Sequence, residues 1–270
     1  MTKKTSRLRP LLAPALALAC ACAHAHVGVS PHFDADYALL PHGAQPGAGA
    51  LVRDYGAFAL WRIGTGSDDS TPRIDRRIDL PSGWFVPRAD DAQHSTTPEG
   101  TGVYVVQFIG PIVDAWLAEL RRAGATPLQY VGNDAYLVVA DAKAGAALAQ
   151  TAGRGESLRY SAPLAPDRKI APDAAHEIAT NPDGRRRFSV VVAAHARASA
   201  TQSRIAAMDA TQGKRRWADL AGQWALDVDV PASRVAEIAA LPDVVTIGLA
   251  GERQPFDEKQ TQILAGRLNT

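Results

Sequence analysis

The chain has 270 residues carrying 29 basic and 28 acidic side chains, enough for one or two domains with cores of their own. A nearly balanced charge argues against the concentrated basic surface that a phosphate backbone requires, so no nucleic-acid partner is expected. Both cysteines, Cys20 and Cys22, fall within the first 25 residues, which excludes a disulfide framework beyond them.

Lys3, Lys4, Arg7 and Arg9 precede the apolar run LLAPALALACACA, which is too short for a mature bilayer span and ends in Ala23-His24-Ala25. This is the pattern of a secretory signal peptide over residues 1–25, cut between Ala25 and His26, and it implies a secreted or periplasmic protein. Acylation at Cys20 is the weaker reading, because Ala17 stands where such sites usually carry a larger aliphatic residue. Loss of four positive charges and no acids takes 29 against 28 to 25 against 28, so the mature chain is mildly acidic. No later stretch is long and apolar enough to serve as a stable membrane anchor.

Residues 26–49 mix His, Pro, Gly and Ala without periodicity and read as a flexible leader. Residues 50–102 read as a loop-rich β segment: ALVRDYGAFALWRI suggests one or two strands broken at Gly56, and Trp84 and Phe85 are the strong anchors further on.

From residue 103 the pattern becomes regular. VYVVQFI reads as a strand. Pro111 suits the first turn of a helix, and Ile112, Val113, Trp116, Leu117 and Leu120 recur at helical spacing. Asp114, Arg121, Arg122 and then Gly124 supply the charges and the stop. PLQYV and AYLVVA flank a Gly132-Asn133-Asp134 turn, Ala142 to Ala152 is a second helix, and LRYSA is a last strand. The order is β-α-β-β-α-β over 103–161.

The order returns over 188–250. FSVVVAA is a strand, Ser199 with Gln202 could cap a helix running through Met208, and WALDVDV alternates cleanly. Pro231 opens a helix carrying Val235, Ile238 and Leu241, and DVVTIGL closes the unit. The expected fold is therefore α+β: two tandem ferredoxin-like βαββαβ units, each an antiparallel sheet with helices on one face. A linker over 162–187 joins them, and a tail occupies 251–270.

Motifs for chemistry are sparse. Gly110-Pro111 offers one glycine, followed by a residue without an N–H, where a phosphate loop needs several donors. Asp227 and Asp229 share one face of a strand; a solvated sheet face explains them better than catalysis does, although such a face could dock a partner. His26, His32, Asp34, Asp36 and His42 cluster in the leader. A histidine at the mature N-terminus could hold copper through its amine and imidazole, but an exposed polar tail is the better reading, and no cofactor or metal is expected. Arg185-Arg186-Arg187 reads as a solvated run at a strand entrance. There is no G-x-S-x-G, and His94, His176 and His195 stand in unlike, mostly polar settings.

GVYVVQFIGPIVDAWLAELRRAGATPLQYVGNDAYLVVA resembles the N-terminal pro-region of some secreted subtilisin-like serine proteases. There a strand ends in a V-Q-F-x-G-P-like motif, a helix carries a central Trp, and a hairpin ends in an A-[YF]-L-V strand. ALVRDYGAFALW and LPDVVTIGLAGERQPFDEKQTQILAG look like the flanking segments of those proteins, and together these pieces cover about residues 50–268. The family's D-[ST]-G, H-G-T and G-T-S-M catalytic motifs do not occur here, so the resemblance implies a non-catalytic propeptide-like module, either severed from its protease or acting in trans. It implies that the partner is a subtilisin-like catalytic domain, bound, inhibited or helped to fold. It further implies that Asp227 and Asp229 lie on the docking face and that a tail including Pro255, Phe256 and Asp257 enters the substrate cleft.

Overall fold

The computed structural model describes residues 28–29, 36–63, 70–88, 91, 97–98, 100–195, 198–208, 211–217 and 222–251, with backbone alone at 28–29 and 211–217. The chain is mixed α+β, with antiparallel sheets and five α-helices among the described residues. Residues 1–25, the expected signal peptide, lie outside them.

The chain opens with β1 (Gly28–Val29), β2 (Asp36–Pro41), β3 (Gly49–Asp54) and β4 (Phe58–Ile63). Strands β2 to β4 form a sheet in the order β2-β4-β3. The flexible leader expected over 26–49 is corrected by β2, whose Tyr37, Ala38 and Leu40 are buried. Its partner β4 begins 17 residues after β2 ends, and two salt bridges from Arg73 and Arg76 fix Asp36 at 2.8 and 2.6 Å. A window over the leader alone contains none of these partners. The hairpin of β5 (Ile78–Leu80) and β6 (Gly83–Phe85) follows. Phe85 is buried, whereas Trp84, expected as an anchor, is 64% exposed.

Next come β7 (Gly102–Phe108), α1 (Asp114–Arg122), β8 (Thr126–Tyr130), β9 (Ala135–Ala140), α2 (Ala142–Arg154) and β10 (Leu158–Pro163), in a sheet ordered β1-β10-β7-β9-β8. Helix α1 starts later than expected. Val113, extended at φ −116°, is its N-cap, and Pro111 stays outside with its carbonyl accepting the Tyr55 hydroxyl at 2.6 Å. Helix α2 is capped by Asp141, which accepts the Ala144 N–H at 2.8 Å, and it stops at Gly155 in the left-handed conformation.

Residues 162–187 are not a plain linker. They carry a 3-10 turn (Pro166–Lys169) and α3 (Pro172–Thr180), and Ala174, Ile170 and Ile178 pack into the second core. The apolar positions here are few and widely spaced, so periodicity does not announce the helix. Then follow β11 (Arg185–Ala193), α4 (Ala198–Ala206), β12 (Thr211–Trp217), β13 (Gln223–Pro231), a 3-10 turn (Ala232–Arg234), α5 (Val235–Ala239) and β14 (Val244–Leu249), with sheet order β12-β13-β11-β14. Helix α4 begins at Ala198, so Ser199 is not its cap. Its carbonyl instead accepts the Ser203 hydroxyl at 3.2 Å.

Three main cores form among the described residues. Phe188, Val190 and Val192 of β11 meet Trp224, Leu226, Val228 and Val230 of β13 beneath Ile205, Val235 and Ile238. Tyr104, Val106 and Phe108 of β7 meet Trp116, Leu120 and Leu148 on the helix side of the first sheet. The third core lies on that sheet's other side, which a helices-on-one-face plan would leave open. Val103, Val105, Leu137 and Tyr160 are covered there by Ile78, Leu80 and Phe85 of the hairpin, and by Ala193 and Val245 of the second sheet. Every residue of β7 is consequently buried, which accounts for an apolar run broken only by Gln107 where a half-exposed strand would alternate.

Candidate functional site

Asp227 and Asp229 stand two apart on β13, both half-buried, on the side away from Trp224, Leu226, Val228 and Val230. Register pairs Asp227 with Ser189 and Asp229 with Arg187 on β11. Arg185 reaches back so that its Nε lies 2.9 Å from Asp229 Oδ1 and its Nη2 donates to the Asp229 carbonyl at 2.8 Å. With both side chains about two-fifths exposed, such a pair contributes about 0–1 kcal/mol. Asp229 can therefore exchange partners at little cost to the fold. The Arg185–Arg187 run lies in β11 itself and is exposed; Arg186 pairs with Glu177 of α3 at 2.9 Å.

The described chain leaves from the same end of this sheet. Ala250 donates its N–H to the Arg187 carbonyl at 2.9 Å, and Gly251 follows. Pro255, Phe256 and Asp257 of the expected cleft-binding tail lie outside the described residues, as do Ala25, His26, His32, Asp34 and His94. Asp36 and His42 are described, with Asp36 committed to its two arginines. No group of three or more His, Cys, Asp or Glu able to hold a metal occurs among the described residues. Among them, too, no helix is long and apolar enough to cross a membrane.

Two further clusters carry little signal in the sequence. One is a cleft of about 360 Å³ between the β5–β6 hairpin and β10, lined by Trp84, Phe85, Asp91, Tyr160 and Arg168 among others. The Arg168 guanidinium lies 3.6 Å from the Phe85 ring centroid and 3.7 Å from the Asp91 carboxylate. Burial, and secondarily the Asp91 charge, push the Tyr160 hydroxyl well above the ordinary phenol range. The other cluster lies at the seam between the two sheets. His195 Nε2 is 3.0 Å from Asp243 Oδ1, and the Thr201 hydroxyl donates to Oδ2 of the same carboxylate. Buried Lys169 donates to the Leu241 carbonyl at 2.8 Å. These residues come from a connecting turn, a strand exit, a helix and a strand entrance, so no local spacing links them.

A family model described as a domain of unknown function (DUF8729) matches residues 75–165. That span includes the hairpin and β10 sides of the Trp84–Tyr160 cleft and all of β5 to β10, but not Arg168. No curated protein matches the chain.

Proposed function

We propose that this chain is a secreted or periplasmic, non-catalytic module of two tandem ferredoxin-like units, akin to the pro-region of a subtilisin-like serine protease. It binds such a protease, inhibiting it or assisting its folding. The strand orders β10-β7-β9-β8 and β12-β13-β11-β14 support the tandem reading. In each, the first and third strands of a βαββαβ run are central, and a helix follows each of them.

The observation that carries the docking reading is the unequal cover of the two sheets. The non-helical face of the first sheet is sealed by the chain's own hairpin and by the second sheet, while Asp227, Asp229 and the Arg185–Arg187 end of the second sheet stay accessible. The chain passes from β14 towards its tail at that same end. Half-exposed carboxylates on a sheet face suit the N–H groups at helix N-termini of a partner. The second sheet is thus the docking sheet, and the first is a buttress.

The chain from residue 26 onward, added to a panel of subtilisin-like proteases, should inhibit at least one of them or raise its refolding yield. Asp227→Ala with Asp229→Ala should weaken that effect tenfold or more without lowering the unfolding midpoint. If the wild-type chain neither inhibits nor rescues any protease, the reading fails.

A further inference from the structure

Consecutive residues of the Pro166–Lys169 turn serve different spaces. Arg168 lines the Trp84–Tyr160 cleft, while Lys169 lines a second cavity of about 400 Å³ at the seam. Lys169 is 3% exposed. Its ammonium has three donors, and one carbonyl, that of Leu241, accepts from it. Asp243, whose charge acts on it, has one oxygen beside His195, and its other oxygen accepts the Thr201 hydroxyl. Arg204, from the last turn of α4, lines the same cavity, whose remaining walls include Val103, Leu164 and Pro242. Among the described residues no anion lies directly on this buried ammonium, an unfavourable state for a charge out of water, and burial pulls the Lys169 amine down to about 7.

We propose that the seam cavity binds a small aliphatic carboxylate, its anionic end between Lys169 and Arg204 and its hydrocarbon part against Val103, Leu164 and Pro242. The carboxylate supplies charge-assisted acceptors to Lys169, to which the described residues offer one carbonyl, and to Arg204. The apolar walls give the ligand body a dry surface, as small-molecule sites generally do. A free carboxylic acid and the C-terminal residue of a peptide present this same chemistry. The site is independent of protease docking, because the Asp227–Asp229 face is elsewhere on the second sheet.

Calorimetric titration of the chain with 4-methylpentanoate, with N-acetylglycyl-leucine and with the neutral N-acetylleucinamide tests the proposal. At least one carboxylate should bind at least tenfold more tightly than the amide. Tighter binding of the simple acid identifies a free-acid site; tighter binding of the dipeptide identifies a peptide terminus. Lys169→Met should lose at least tenfold in affinity, and Arg204→Gln should lose severalfold. Should Lys169→Met not fold, the Lys169 side-chain NMR resonance of the wild type serves instead, shifting with the carboxylate but not with the amide. Equal binding of acid and amide, no binding of either at millimolar concentration, or an unmoved Lys169 resonance would overturn the proposal.

Discussion

A Cβ on Gly145 would stand 2.5 Å from the Tyr104 hydroxyl, so this glycine in α2 is what lets the helix lie flat on β7. Gly145→Ala is expected to destabilise the protein by about 1–3 kcal/mol, the usual cost of overpacking, seen as a lower urea midpoint. Tyr104→Phe should cost nothing by the same measurement, since the buried hydroxyl has no hydrogen-bond partner among the described residues and its removal relieves a desolvation penalty. Two titrating groups give stability slopes of opposite sign. Burial pushes the Asp134 carboxyl up from 3.8 to about 6. The folded state then holds this proton more tightly than the unfolded chain does, and stability falls as pH rises between those values. Lys169 is lowered from 10.5 to about 7, so the unfolded chain binds the proton better and stability rises with pH across that window. Both penalties are fully present between about 6 and 7. Thermal melts should show Asp134→Asn flattening the acid slope and Lys169→Met the alkaline one; unchanged slopes would refute these assignments.

Strand β4 and the β7–α1 junction show how one element shapes another. The Gly110-Pro111 corner, whose residues do not suit a phosphate loop, is where Leu60 of β4 docks: a Cβ on Gly110 would lie 2.7 Å from a Leu60 methyl. Leu60 is fully buried, so Gly110→Ala should cost about 1–3 kcal/mol, and Leu60→Val in the same chain should recover part of that in denaturant melts. Elements with a strong local pattern were legible from the residues alone. β7 is an apolar run broken only by Gln107, α1 combines an apolar stripe with first-turn acid and last-turn base, the β8–β9 hairpin has its Gly132-Asn133-Asp134 turn with three successive positive φ angles, and β13 alternates. Strand β2 and helix α3 were not, because what orders them comes from elsewhere in the chain: β4 and two arginines for one, the second core for the other. The same holds for candidate sites. Asp227 and Asp229 announce themselves by alternation. Lys169, His195, Thr201 and Asp243 are brought together only by tertiary packing, and nothing in their spacing could have found them.

At the scale of the whole molecule the two sheets share a core. Val103 donates to the Pro242 carbonyl at 3.0 Å, Gln223 Nε2 lies 3.1 Å from Gln129 Oε1, and Ala193 and Val245 of the second sheet are buried against the first. The two sheets should therefore unfold together. Val245→Asp would place an unpaired charge in this seam, at a cost on the order of 3 kcal/mol. Thermal unfolding followed by two probes, one in each sheet, should give coincident transitions for the wild type and separated ones for the variant. Separated transitions in the wild type would show that the seam does not couple them. Strand β7 has a particular place in this arrangement, flanked by β9 and β10 within its sheet and roofed on both faces. Its backbone amides can meet solvent deuterium only when the sheet, the hairpin cover and the seam have all given way. Hydrogen exchange along Gly102–Phe108 should accordingly be the slowest in the protein, and its rate an internal gauge of the global opening free energy.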